Sequence, residues 1–220
     1  MNDGKLAELE RRWRETKSPA DEAAWLRERV QSGQLSEERL ELAASVGHQG
    51  AERACGIVSA SAAPKLEEMA RTLLRLPEAP VAAVGARFVG MGVRALGASA
   101  PEALSRAASA IEDYERCPCE AHRSALFLLT TQLGRLAATR LSGRADPSNA
   151  YTIKAAYHVC QAIQKAAKSQ HEQALTQLQQ GLEEARRSGL PEPELALAVQ
   201  QGIVAWALGP QPTPGPEAPP

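Results

Sequence analysis

The chain has few aromatic side chains and no large excess of charge of either sign. Tryptophan, tyrosine and phenylalanine make up 4% of the 220 residues, whereas apolar residues as a whole make up 44%. The hydrophobicity is therefore carried mainly by alanine, leucine and valine, which suit closely packed helices better than a β-sheet. The 25 basic and 26 acidic residues nearly cancel, so the chain lacks the basic field that attracts phosphates. We therefore expect a helical protein and no nucleic-acid partner.

Cysteines are also few, and long apolar runs are missing. The four cysteines lack the spacing of a disulfide framework, and residues 3–14 are highly charged where a secretory leader would have an apolar core. The longest weakly charged stretch, residues 79–86, is far shorter than the roughly 20 residues that a membrane-spanning helix needs. We therefore expect a cytoplasmic protein that neither crosses nor binds a membrane.

Short polar residues and glycines mark the predicted ends of a series of helices. A helix start is indicated by a serine with an acidic residue three positions later, or by an aspartate directly before a proline. These starts are Ser18, Ser99, Ser169 and Asp146. A helix stop is indicated by a glycine that can adopt the left-handed conformation. These stops are Gly33, Gly47, Gly143 and Gly189.

Between these marks, apolar residues recur every three or four positions, as in the leucine stripe from 126 to 136. This period predicts helices that each bury one face. They lie near residues 4–16, 19–32, 37–46, 50–60, 64–76, 79–96, 100–115, 120–142, 148–168, 170–188 and 192–208. Because the turns are short, neighbouring helices should pack antiparallel. We therefore predict an all-α fold of antiparallel helical hairpins, arranged as an irregular bundle or a short solenoid-like array.

The predicted domain organisation has three parts. Residues 1–60 form an N-terminal helical module, and residues 61–208 form a helical bundle or array that is either separate from this module or continuous with it. Six prolines stand among residues 209–220, and such a composition cannot sustain a helix. The last part is therefore predicted to be a disordered, proline-rich tail.

Residues 40–56, LELAASVGHQGAERACG, resemble the helix–turn–helix core of a Sel1-like repeat, a relative of the tetratricopeptide class. This resemblance implies that Gly47 closes the first helix and that His48 begins the turn. It also implies that Ala51 and Ala54 let the second helix approach closely. No second good copy is found in the chain, whereas a solenoid needs about three units to bury its faces.

Residues 9–48 are similar to a helical module of unknown function from high-GC social bacteria such as the myxobacteria. This resemblance implies no activity, but it does imply a small helical core that contains Trp13 and Trp25. Both tryptophans stand among charged residues on amphipathic helices, where a large aromatic side chain usually anchors packing and can also mark an interface. Trp13, Trp25 and His48 are therefore the candidate partner-binding residues.

The segment GMGVRA, with Gly90, Gly92 and Ala95, fits the loose G-x-G-x-x-A form of a dinucleotide-binding loop. That loop must follow a strand, and no alternation of strands and helices is found in the sequence. The apolar residues around the segment have helical spacing instead. We therefore predict a buried helix, in which Gly85 and Gly92 permit close helix contact, and no nucleotide cofactor.

Cys117 and Cys119 flank Pro118, and His122 follows three positions later. These residue types are soft metal ligands, but a closed zinc site normally has four ligands and no fourth is recognisable, so no metal site is predicted. A cysteine at a helix start can have a lowered pKa, and an exposed thiol of this kind is sensitive to oxidation. Cys117 and Cys119 are therefore candidate redox residues, the alternative being a pair of unreactive turn cysteines.

The four histidines fall in different predicted elements and form no recognisable triad, so no catalytic residue is predicted. We therefore expect a non-enzymatic adaptor that binds a protein or peptide partner through its helical scaffold. One alternative is a structural homo-oligomer assembled through stripes such as leucines 126 to 136. A second alternative is an enzyme whose pocket brings His122, His158 or a cysteine to distant carboxylates.

Overall fold

The computed structural model describes residues 3–57, 65–73, 78–142 and 147–210. Within these ranges it contains eleven α-helices and no β-strand, which confirms the all-α fold class. The helices are α1 (Asp3–Thr16), α2 (Pro19–Gln31), α3 (Glu37–Ser45), α4 (Gln49–Ala54), α5 (Leu66–Leu73), α6 (Glu78–Leu96), α7 (Glu102–Arg116), α8 (Glu120–Leu141), α9 (Pro147–Ala166), α10 (His171–Arg187) and α11 (Glu192–Leu208). A short 3₁₀ turn, Gly97–Ser99, follows α6.

The predicted capping serine of α2 is confirmed, although the capping box is not closed. The Ser18 side-chain oxygen accepts a hydrogen bond from the Ala20 N–H at 3.2 Å, as expected of an N-cap residue. The Asp21 carboxylate does not reach back to the Ser18 N–H. It accepts a hydrogen bond from the Thr16 hydroxyl at 2.8 Å and pairs with Arg12 at 2.7 Å instead.

The predicted starts at Ser99 and Ser169 are wrong. Ser99 belongs to the 3₁₀ turn, and the N-cap residue of α7 is Pro101. Ser169 lies in the left-handed region, with φ of 56°, where it ends α9. The next N–H, of Gln170, donates to the Lys165 carbonyl at 2.9 Å and completes a Schellman motif. Ser169 therefore ends α9 and does not begin α10, because its left-handed backbone conformation belongs to the end of α9.

The glycine stops are confirmed where the structure describes them. Gly33, Gly47 and Gly189 have φ of 74°, 84° and 87°, values that favour glycine. Gly143 and Asp146 lie outside the described residues. Gly56, with φ of 74°, ends α4 at Ala54, six residues before the predicted end at 60. Residues 40–56 thus form a helix–turn–helix, while the Sel1-like resemblance itself remains a prediction.

Because Ser169 is a non-glycine residue in the left-handed region, Ser169→Gly should raise the free energy of unfolding by about 0.5–1 kcal/mol. The matched control is Ser188→Gly. Ser188 has an ordinary φ of −73° at the end of α10, and its hydroxyl donates to the Ala185 carbonyl at 2.7 Å. This control should therefore lower the stability. Urea unfolding followed by circular dichroism measures both effects, and a loss of stability in both variants would contradict the prediction.

Contacts divide the chain into two compact units, Met1–Pro64 with Val204–Pro220, and Lys65–Ile203. The first unit resembles the predicted N-terminal module but also includes the last turn of α11. In this unit α2 packs against α1 and α4, and α3 packs against α4. Arg29 donates to the Leu208 carbonyl at 2.7 Å, and Arg39 donates to the Trp206 carbonyl. These cations stabilise the C-terminal end of α11, where helix carbonyls lack partners.

The second unit is built around α9, which packs against α6, α7, α8 and α10. Half of the α9 residues are buried: Ala150, Thr152, Ile153, Ala155, Ala156, Val159, Cys160, Ala162, Ile163 and Ala166. The leucines of the α8 stripe also face this core, since Leu126, Leu129 and Leu133 are buried within the chain. These three side chains are therefore not free to form the seam of a homo-oligomer. The predicted disordered tail lies outside the described residues from position 211 onward.

One helical stretch, Pro80–Ser99, is long enough and apolar enough in composition to cross a membrane. Arg87 interrupts the apolar run of residues 79–86, so the sequence did not indicate this stretch. Just over half of its most apolar window, 56%, is buried by the rest of the protein. Core helices meet the same criteria of length and composition, and the burial of α6 against α7 and α9 favours this interpretation.

Candidate functional site

Helices α6 and α11 touch at a crossing point where Gly202 of α11 lies against Val84 of α6. A Cβ atom added at Gly202 would lie 2.6 Å from the Val84 Cα, so the two backbones are in close contact there. An open groove of about 450 Å³ lies next to this crossing point. It is formed by the C-terminal half of α6 on one side and by the N-terminal half of α11, with the residue just before it, on the other. Its lining is Arg87, Met91, Arg94 and Ala95 on one side and Leu190, Glu194, Leu197, Ala198 and Gln201 on the other.

The groove has an apolar floor and a charged rim. Met91 and Ala198 are buried and form part of the floor, whereas Leu197 is an exposed leucine with 49% of its surface accessible. The Arg87 and Arg94 side chains are exposed and stand seven residues apart on α6. Two helical turns separate such positions, a distance of about 10.5 Å. The groove therefore presents two guanidinium groups beside apolar surface.

Neither arginine of the groove forms an ion pair within 4 Å among the residues that the structure describes. Arg87 does act electrostatically on Glu115 of α7. Desolvation raises the pKa of Glu115, and the positive charge of Arg87 opposes this increase. The Arg94 side chain folds back toward Gly90, and its Nη1 atom would lie 3.5 Å from a Cβ atom added at Gly90. Both side chains are exposed, so both guanidinium groups can donate hydrogen bonds to a carboxylate of another molecule.

The groove residues were not identified from the sequence, although Arg87, Met91 and Arg94 share one face of α6. The same segment contains the GMGVRA motif, and the structure places Gly90, Gly92 and Ala95 inside α6, with no strand before them in the described chain. The dinucleotide loop is therefore not formed. Gly92 does permit the predicted close contact, because a Cβ atom there would lie 2.8 Å from the Thr152 methyl group of α9.

The two N-terminal tryptophans meet each other. The Trp13 and Trp25 rings are stacked, with centroids 4.6 Å apart and planes 11° apart. The Lys17 ammonium lies 5.3 Å from the centre of the Trp13 ring, and the Arg29 guanidinium lies 4.8 Å from that of Trp25. The stacking holds α1 and α2 together, and each cation–π contact adds a contact local to one of these helices. Both tryptophans therefore anchor packing, and their partner-binding role remains a prediction.

His48 is the N-cap residue of α4. Its Nδ1 atom accepts a hydrogen bond from the Ala51 N–H at 3.2 Å, and its Nε2 atom lies 3.6 Å from a Glu22 carboxylate oxygen. Burial raises the pKa of Glu22, whereas the neighbouring charges of His48 and Lys17 lower it. Gly50 fits beside this carboxylate, since a Cβ atom there would clash with it. His48 thus has a structural role within its unit, and its partner-binding role remains a prediction.

The structure brings Cys117, Cys119 and His122 together at the start of α8. One ligand atom from each of these side chains lies within 4.8 Å of the others. The backbone N–H of His122 and the Cys117 thiol stabilise the Cys119 thiolate and lower the pKa of Cys119. The pKa of Cys117 is raised, mainly by its hydrogen bond to Cys119. The pKa values of the two thiols therefore shift in opposite directions, and their redox role remains a prediction.

The other predicted chemical groups do not assemble a catalytic centre among the described residues. The His158 Nδ1 atom lies 2.9 Å from the side-chain oxygen of Gln177, so its contact is an amide rather than a carboxylate. Cys160 is buried in the core, which raises its pKa to about 12 and keeps the thiol protonated. Its role is packing within α9.

No protein-family model, curated protein or solved structure matches the chain.

Proposed function

We propose that this protein is a non-enzymatic cytoplasmic adaptor whose groove between α6 and α11 binds an acidic amphipathic helix of a partner protein. The observation that carries the proposal is a pair of exposed arginines, Arg87 and Arg94, beside the apolar surface of Met91 and Leu197; neither forms an ion pair with a described residue. Guanidinium groups bind carboxylates in a bidentate manner, and apolar floors bind the apolar face of a helix. The groove offers both kinds of contact together.

The spacing of the groove residues supports a helix as the ligand. Arg87, Met91 and Arg94 follow the i, i+4, i+7 pattern of one helical face. A partner helix lying along α6 would present carboxylates at the same seven-residue spacing and an apolar side chain between them. Glu194 on the opposite rim adds a place for a basic residue of the partner. The charges of the partner helix would thus complement those of the rim, and its acidic residues would match the seven-residue spacing of Arg87 and Arg94.

The four cysteines support the cytoplasmic part of the proposal. Cys55, Cys117, Cys119 and Cys160 are all free thiols, and Cys117 is exposed. Free thiols of this kind persist in reducing compartments, where disulfides are rare.

A displayed library of helical peptides, selected on the full-length protein, tests the proposal. We expect the selected peptides to carry acidic residues seven positions apart around an apolar stripe. The double variant Arg87→Glu/Arg94→Glu should weaken their binding by about tenfold or more, because it replaces attraction by repulsion at the rim. Fluorescence anisotropy of the labelled peptides measures the change, and far-UV circular dichroism checks that the variant remains helical.

Two exposed leucines provide matched variants for this experiment. Leu197→Ser changes the groove, whereas Leu128→Ser changes a leucine of α8 that is 63% exposed and does not line the groove. Only the first substitution should weaken binding. Selection of basic peptides would contradict the proposal. Equal binding to wild-type protein and to all the groove variants would also contradict it.

A further inference from the structure

The link between α7 and α8 is a tight turn centred on Pro118. The Cys119 N–H donates to the Cys117 carbonyl at 2.8 Å, which is the hydrogen bond of a γ-turn. Cys117 has extended backbone angles, with φ of −146° and ψ of 95°, and Cys119 is the N-cap residue of α8. The turn therefore holds two cysteines, separated by one proline, at the exposed start of a 22-residue helix.

His122 is fixed in the first turn of α8 by the same carbonyl group. Its Nδ1 atom lies 2.7 Å from the Cys117 carbonyl oxygen and 3.5 Å from the Cys119 sulfur. A carbonyl can only accept a hydrogen bond, so Nδ1 carries the proton in this contact and Nε2 keeps a lone pair in the neutral ring. Histidines that bind metals commonly donate their other N–H to a backbone carbonyl in this way.

We propose that Cys117, Cys119 and His122 form a surface site for a thiophilic divalent cation of the zinc class. The three ligands come from one chain, and the fourth coordination position is open. Two sulfur atoms and one imidazole are a donor set that zinc accepts, whereas magnesium and calcium prefer oxygen. The two sulfur atoms already lie within 4.8 Å of each other, and the His122 ring lies beside the Cys119 sulfur. This site is independent of the groove between α6 and α11.

A modest contraction would complete the coordination geometry. Two thiolates on a tetrahedral zinc ion, each bound at about 2.3 Å, are separated by roughly 3.8 Å. The two sulfur atoms therefore have to approach each other by about 1 Å at most. Side-chain rotation of Cys117 can supply this movement, because Cys117 is exposed and lies in the turn rather than in a helix. A rotation of the His122 ring is also needed to bring Nε2 toward the two sulfur atoms.

The position of the site indicates that the cation is not needed for folding. Tyr114 of α7 and Leu126 of α8 are buried near the ends of the two helices that the turn connects. The helices are therefore held by packing as well as by the turn. A chelator should leave the far-UV circular dichroism spectrum unchanged, in contrast to a structural zinc site, which contributes folding free energy.

Titration of the reduced, full-length protein with Co²⁺ and then with Zn²⁺ tests the site. We expect one equivalent of Co²⁺ to bind, with a thiolate-to-cobalt charge-transfer band and the strong visible bands of four-coordinate cobalt, and Zn²⁺ to displace it. The double variant Cys117→Ser/Cys119→Ser should lose the charge-transfer band. His122→Gln should weaken the affinity by about tenfold or more, since it removes one of three ligands.

Two substitutions outside the cluster serve as controls. Cys55→Ser and His171→Gln each change the same kind of residue elsewhere in the chain, and both should leave the titration unchanged. Binding without a thiolate band, or an unchanged affinity in His122→Gln, would overturn the proposal. A stoichiometry of one cation per two chains, together with a doubled mass in light scattering, would overturn the single-chain site.

Discussion

Gly202→Ala should lower the free energy of unfolding by about 2–3 kcal/mol, because the new methyl group has no space where α11 crosses α6. The added Cβ atom would lie 2.6 Å from the Val84 Cα and 2.8 Å from its backbone nitrogen. These are backbone atoms inside a helix, so a side-chain rotation cannot relieve the contact. Urea unfolding followed by circular dichroism measures the loss as a lower midpoint with an unchanged slope.

Gly90→Ala is the matched control for this prediction. Gly90 lies in α6, and the nearest atom to an added Cβ is the Arg94 Nη1 at 3.5 Å, at the end of a flexible side chain. Alanine favours the helix over glycine by about 0.5–1 kcal/mol, so this substitution should stabilise the protein. If both variants lost stability to a similar extent, the close contact between α6 and α11 at Gly202 would not be the cause of the loss.

Two glycines of α6, Gly85 and Gly92, also permit a close helix contact. A Cβ atom at Gly85 would lie 2.9 Å from a Val159 methyl group, and one at Gly92 would lie 2.8 Å from the Thr152 methyl group. Both contacts are between α6 and α9, the central helix. The sequence indicated this role for Gly85 and Gly92, because they recur seven residues apart and thus lie on one helical face.

Local signals predicted the elements of the fold well. Ser18 caps α2, and Gly47 and Gly189 end helices in the left-handed conformation, because these functions depend on only a few neighbouring residues. Ser169 shows the limit of such signals. The three-residue spacing between Ser169 and Glu172 is typical of a helix start. In the structure, however, Ser169 ends the preceding helix, α9.

The candidate sites could be predicted only in part, because they depend on tertiary contacts that the spacing of residues in the sequence does not reveal. Arg87, Met91 and Arg94 form a helical face in the sequence, but Leu197 reaches that face only through the crossing of α6 and α11. The cysteine cluster was local enough to be noticed. What the sequence did not provide was the orientation of the His122 ring, which depends on the Cys117 carbonyl at 2.7 Å.

A buried ion pair between α9 and α10 gives the second large expected effect. Glu184 is almost fully buried, with 7% of its side chain exposed, and its Oε1 atom accepts a hydrogen bond from the Lys154 ammonium at 2.8 Å. Arg187 reaches the same oxygen only at 3.5 Å, and the Oε2 atom has no partner in the described part of the chain. The carboxylate therefore depends mainly on Lys154.

Lys154→Met should lower the free energy of unfolding by about 2–3 kcal/mol, somewhat less than for a fully buried pair, since Lys154 is one-third exposed. It leaves the Glu184 carboxylate buried with little compensation. The double variant Lys154→Met/Glu184→Leu removes both charges and should recover most of the loss, to within about 1 kcal/mol of the wild-type protein. Urea unfolding of the single and double variants measures this recovery. If the double variant were as unstable as Lys154→Met, the loss would come from the packing of the Lys154 side chain, and the buried charge would not be its cause.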